Sequence, residues 1–139
     1  MARKILIVDD SATARMFVQR CLEISRFMDG AEFIEAGDGN EAMLCLQEHS
    51  GEIQMVFTDL VMPNMDGEAL ARRIMASPRF NQIPVVVISS AGNPAKEQYL
   101  LNIGVRAVIK KPVSPAKLAS VLQAFPPESF NVDPAKDRS

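Results

Sequence analysis

The chain is 139 residues long, a length that suits one domain with a single core of ordinary size. Its 47% hydrophobic and 23% charged residues are the proportions of an ordinary globular domain. A formal net charge of −2, with no visible basic face, gives no electrostatic case for nucleic acid or an anionic membrane surface.

Met1 to Lys4 leads into a four-residue apolar run, too short for a signal-peptide core and without a small-residue cleavage site after it. No apolar stretch approaches the length of a membrane span. The expectation is a cytoplasmic protein.

The first expected strand is Lys4 to Val8, apolar on consecutive positions and ending in Asp9-Asp10. Ala14, Phe17, Cys21 and Ile24 then fall on one helical stripe, which predicts that these four face the core. Ala31 to Ala36 is the second strand. Asp38, with Glu41 three residues on, opens a helix at capping-box spacing, and Ala42, Cys45 and Leu46 form its stripe.

Met55 to Thr58 is the third strand, followed by Asp59. Asp66 caps a helix marked by Leu70 and Ile74. Pro84 to Ser89 is the fourth strand. Its helix opens at Pro94 and is expected to stop at Gly104, the residue types that suit those ends. Val105 to Lys110 is the fifth strand. The last helix opens at Ser114-Pro115 and carries Leu118, Val121, Leu122 and Phe125 on one stripe. Residues 1–125 thus read as one domain. Residues 126–139, with three prolines and little apolar content, read as a tail or linker.

Strands alternating with helices five times imply a parallel sheet covered on both faces. In such sheets ligands bind beyond the carboxyl ends of the strands, so chemistry is sought in the residues just after each strand. Those residues are Asp9, Asp10, Asp59, Ser89 and Lys111. Two carboxylates about 5 Å apart repel by about 3 kcal/mol at an effective dielectric of 20. A metal or a lysine among them relieves that cost, and oxygen-only ligands point to Mg²⁺. A carboxylate nucleophile, a divalent ion, a cationic side chain and a hydroxyl are the parts of a phosphoryl-transfer site.

The segment Asp59-Leu-Val-Met-Pro-Asn-Met-Asp-Gly67 reproduces a D-x-x-M-P-x-M-D-G signature without a gap. With the acidic pair, Ser89 and Lys111-Pro112 in order, the chain strongly resembles the receiver domains of two-component response regulators, closest to stand-alone chemotaxis-type members. The resemblance covers Lys4 to Phe125. It implies a flavodoxin-like doubly wound α/β fold with strand order 2-1-3-4-5, the order of the chemotaxis-type members themselves.

The same resemblance implies roles. Asp59 is the phosphoacceptor. Asp10, Asp59 and the backbone carbonyl of Val61 ligate Mg²⁺, and Asp9 reaches it mainly through water. Lys111 pairs with the acceptor carboxylate, Ser89 is the switch hydroxyl, and the Lys111-Pro112 bond is cis. A sensor histidine kinase or phosphotransfer protein donates the phosphoryl group. A downstream effector, of unknown identity, then reads the fourth helix, fifth strand and fifth helix, including Tyr99, Arg106, Val108 and Lys117. The protein is expected to be a monomer or weak dimer, with chemistry limited to its own phosphorylation and dephosphorylation.

Two departures from the family pattern stand out. Val108 replaces the aromatic residue common in the fifth strand. Val61 and Ala91, at variable positions flanking the site, lack polar groups, which implies slow self-dephosphorylation. The competing reading is a Mg²⁺-dependent phosphohydrolase with Asp59 as nucleophile. Such enzymes carry a second Asp two residues on, where this chain has Val61. His49, near a helix end, reads as facing solvent or the helix C-terminus rather than carrying a phosphoryl group. The methionines read mostly as core filler, and Cys21 and Cys45 as small hydrophobes on opposite faces of the sheet, too far apart for a disulfide.

Overall fold

The computed structural model describes residues 3–90 and 93–123. The elements run β1 (Lys4–Val8), α1 (Ala12–Ser25), β2 (Glu32–Ala36), α2 (Gly39–Glu48), β3 (Ile53–Asp59), α3 (Gly67–Met75), β4 (Val85–Ser89), α4 (Pro94–Asn102), β5 (Ala107–Lys110) and α5 (Pro115–Leu122). The five strands are parallel in the order β2-β1-β3-β4-β5, the order that the family resemblance implies.

Alternation along each strand sorts the core into two layers. Ile5, Ile7, Met55, Phe57, Val86 and Ile88 pack against Val18, Cys21 and Leu22 of α1 and Leu118 and Leu122 of α5. Leu6, Val8, Val56, Val85 and Val87 pack on the other face against α2, α3 and α4, through Leu46, Leu70, Ile74 and Leu100. Each fully buried aliphatic or aromatic side chain contributes about 1.5–3 kcal/mol relative to exposure. All seven residues of β3 are buried, whereas β2 at the edge buries only Ala36. The cysteines lie in opposite layers, Cys21 buried and Cys45 half-buried.

Every helix opens with a side-chain cap. Ser11, Asp38, Asp66, Asn93 and Ser114 each accept the backbone N–H of the residue three positions on. Glu41 does reach back, but to the N–H of Gly37 at 2.8 Å, one residue before the cap.

The face of α1 differs from expectation. Of the stripe Ala14, Phe17, Cys21 and Ile24, only Cys21 is buried; Phe17 and Ile24 are 51% and 61% exposed. The helix turns Val18 and Leu22 inward beside Cys21, a second apolar stripe on the same helix. Boundaries shift as well. β3 starts two residues earlier, at Ile53, and β5 starts at Ala107 rather than Val105. α4 ends at Asn102, with Gly104 beyond it at φ +118°, a backbone conformation that favours glycine. Ala91, Phe125 and the expected tail lie outside the described residues.

Candidate functional site

Strand register decides which residues meet. Val8 pairs with Thr58, Asp59 with Ile88, and Ser89 with Lys110. The residues that follow or end these strands therefore share one rim. Asp9 is buried, Asp59 is 9% exposed and Asp10 is exposed. One carboxylate oxygen from each of the three lies within 4.8 Å of the others.

Lys111 closes the group from β5. Its ammonium is 3.2 Å from Asp59 Oδ1 and 3.9 Å from Asp9 Oδ2. The backbone N–H of Lys111 donates to the Ser89 carbonyl at 2.8 Å, which ties the two positions together. The Ser89 side chain is buried at the same rim. The Lys111–Pro112 bond is cis. Val61, on the loop leaving β3, is 72% exposed. Asp9, Asp10, Asp59, Ser89 and Lys111 thus meet at one rim, with Val61 on the adjoining loop; Ala91 lies outside the described residues.

Three carboxylates face one ammonium, so negative charge is in excess. Burial pushes the Asp9 carboxyl above the ordinary range, opposed by the Ser11 N–H that donates to its Oδ1 at 2.9 Å; the nearby Asp59 charge pushes it further. A compact set of oxygen donors with surplus negative charge fits a hard divalent cation such as Mg²⁺, and offers no thiolate or imidazole for a softer one.

Several supports could not be read from sequence spacing. Arg15 donates through Nη1 to the Asp9 backbone carbonyl and through Nε to Glu35 Oε1, both at 2.6 Å. This fixes the end of β1 against β2. Asn64, at φ +67°, donates to Asp38 Oδ2 at 2.7 Å, and the Gly39 N–H donates to the Met65 carbonyl at 3.0 Å. The loop after Asp59 is thereby fastened to the start of α2. The Glu41 N–H, as the largest influence, and the Asn64 amide hold the Asp38 carboxyl below its ordinary range. At the end of the loop, the Gly67 N–H donates to the Leu60 carbonyl at 2.8 Å.

On the β5 side, Lys117 donates to the carbonyls of Lys110 and Pro112, each at 2.9 Å. Lys96 of α4 pairs with Glu68 of α3 and lies 5.8 Å from the Tyr99 ring centre. A cavity of about 170 Å³ lies between Leu60, Ser89, Leu100 and Val108, where β5 carries the smaller aliphatic residue. His49 lies elsewhere, at the C-terminal end of α2, beside Lys4 and Glu52.

Comparison with known proteins bears on this arrangement. Residues 5–123 match the family described as the response regulator receiver domain. The chain is 33% identical over 120 residues to the chemotaxis protein CheY1 of Helicobacter pylori, covering 86% of this chain and 94% of that protein. The structure of the Vibrio cholerae chemotaxis protein CheY4 superimposes with a TM-score of 0.75 at 27% identity, covering 88% of this chain and 98% of that one. The Mn²⁺-bound form of the response regulator Rcp1 gives a TM-score of 0.72 at 28% identity, with coverage of 95% and 96%.

Proposed function

The chain belongs to the response regulator receiver family, whose role is to accept a phosphoryl group in two-component signalling, and from that premise we propose that Asp59 is the acceptor. The donor is a phosphohistidine on a sensor kinase or phosphotransfer protein. The observation that carries the reading is the Lys111 ammonium 3.2 Å from Asp59 at a rim shared with Asp9 and Asp10.

Asp9, Asp10 and Asp59, with the Val61 backbone carbonyl, would hold Mg²⁺. When bound, the ion supplies charge neutralisation for the phosphoryl oxygens. An Asp59 carboxylate oxygen attacks phosphorus; an O–P bond forms and the P–N bond to the donor imidazole breaks. Lys111 offsets the negative charge that arrives with the phosphoryl group. The Ser89 hydroxyl donates to a phosphoryl oxygen. Arg15 acts on this site as a positioning residue, through the Asp9 backbone.

The acyl phosphate then biases a two-state equilibrium, and the favoured state selects an effector at the surface of α4, β5 and α5. Tyr99, Arg106, Val108 and Lys117 belong to that surface. Kinship with chemotaxis proteins favours a chemotaxis-type pathway in the cytoplasm.

The test is incubation with acetyl phosphate and Mg²⁺. A mass gain of one phosphoryl group, absent with Asp59→Asn and absent when the metal is chelated, is expected. Repeated turnover of a small phosphate ester would instead support the phosphohydrolase reading. Neither label nor turnover on the unmodified chain would overturn both.

A further inference from the structure

We propose that Lys117 is a positioning residue for phosphoryl transfer, aiming the Lys111 ammonium at Asp59 by holding the main chain on both sides of Lys111. The proposal rests on the reading of Asp59 as the acceptor.

Two hydrogen bonds carry it. From the first turn of α5, the Lys117 ammonium donates to the carbonyls of Lys110 and Pro112, each at 2.9 Å. Those two acceptors bracket Lys111, so one side chain closes the turn that leaves β5. An ammonium has three donors and no acceptor, which suits it to gathering two carbonyls at once. The root of the side chain is fixed as well, because the Lys117 N–H donates to Ser114 Oγ at 3.1 Å in the cap of α5.

The rest of the turn shows what this clamp adds. The Lys111 N–H donates to the Ser89 carbonyl at 2.8 Å, which holds the approach to the turn against β4. Pro112, next along, has no N–H with which to hold the exit. Lys117 supplies that hold.

Aim matters here because the Lys111 side chain is long, flexible and 35% exposed, yet its ammonium stands 3.2 Å from Asp59 Oδ1 and 3.9 Å from Asp9 Oδ2. Such a side chain reaches its target only if its root is steady. Lys117 is itself exposed, so solvent weakens each of its bonds and its influence is graded.

The experiment compares the full chain with Lys117→Met, which keeps the stem and removes the ammonium, and with Lys117→Arg, which keeps charge and donors. In metal-free protein, NMR of the side-chain ammonium groups should show Lys111 ordered in the parent and disordered in Lys117→Met. This measurement needs no phosphoryl transfer, so it decides the clamp even if Asp59 takes no label. With acetyl phosphate and Mg²⁺, Lys117→Met should slow labelling about fivefold, well inside what misplacing a reacting group can cost. Lys117→Arg should recover most of that rate, and urea midpoints should stay near the parent's at this exposed position. In the slower residual labelling of Lys111→Met, adding Lys117→Met should change nothing, since Lys117 acts through Lys111. A Lys111 ammonium disordered in the parent, or still ordered in Lys117→Met, overturns the proposal. So does an unchanged labelling rate, or an equal slowing in the Lys111→Met background.

Discussion

A methyl group placed on Gly67 would lie 2.2 Å from the carbonyl oxygen of Asp59 and 2.9 Å from the Leu60 Cα. The first residue of α3 is therefore in backbone contact with the end of β3, and both contacts are with atoms that cannot swing away. Gly67→Ala is expected to destabilise the fold by about 3 kcal/mol, at the upper end for overpacking. Displacement of the loop should also slow phosphoryl uptake. Urea unfolding and mass-detected labelling read the two effects, and an unchanged unfolding midpoint would refute the contact's importance.

Asp9 makes the metal-free site electrostatically expensive. Its carboxyl sits above the ordinary range because of burial, so the folded chain holds more protons than the unfolded chain in the window just above that range. Stability contributed by Asp9 should therefore fall as pH rises through its folded pKa, and then level off. Asp9→Asn should remove that slope and raise the stability of the metal-free protein at neutral pH by about 1 kcal/mol. It should also shrink the stabilisation conferred by Mg²⁺. Thermal melts across pH, with and without the ion, measure both; a variant less stable than the parent without metal would contradict the argument.

Val108 leaves space beside the buried Ser89. Because a cavity of about 170 Å³ adjoins both residues, Val108→Phe should meet room rather than a packed wall. The expected outcome is a gain of about 1 kcal/mol, in the range of cavity-filling substitutions, instead of an overpacking loss. Denaturant unfolding decides the sign.

Val61 presents an apolar side chain, 72% exposed, on the loop that leaves Asp59. With no polar group there to orient a hydrolytic water, the acyl phosphate should persist for minutes or longer. Val61→Asn should shorten its half-life by about tenfold, a modest share of what a positioned polar group can contribute. Decay of the labelled mass after removal of acetyl phosphate gives both half-lives. Equal half-lives would remove Val61 from the explanation.

The convergence of Asp9, Asp59, Ser89 and Lys111 was legible because a parallel sheet puts every strand's carboxyl end on one rim. Element type and order suffice for that inference. The face of α1 was not legible in the same way. Met16, Phe17 and Ile24 compete with Val18 and Leu22 for the inward position, and periodicity alone does not rank two apolar stripes on one helix. Nor could spacing reveal Arg15 on the Asp9 carbonyl, or Asn64 on Asp38, since each joins a residue to a backbone or loop placed only by tertiary packing. Gln54 hid the true start of β3 because a polar residue interrupts the apolar run there.

The buried central strand has a consequence in time. Its amides lie under two layers of side chains, so they should exchange with solvent only when the whole molecule opens, while the periphery breathes at far lower cost. The Asp59 carboxylate, mounted on the last part of the protein to come apart, should keep its aim through every smaller fluctuation. Elements around it can shift while that reference point stays fixed.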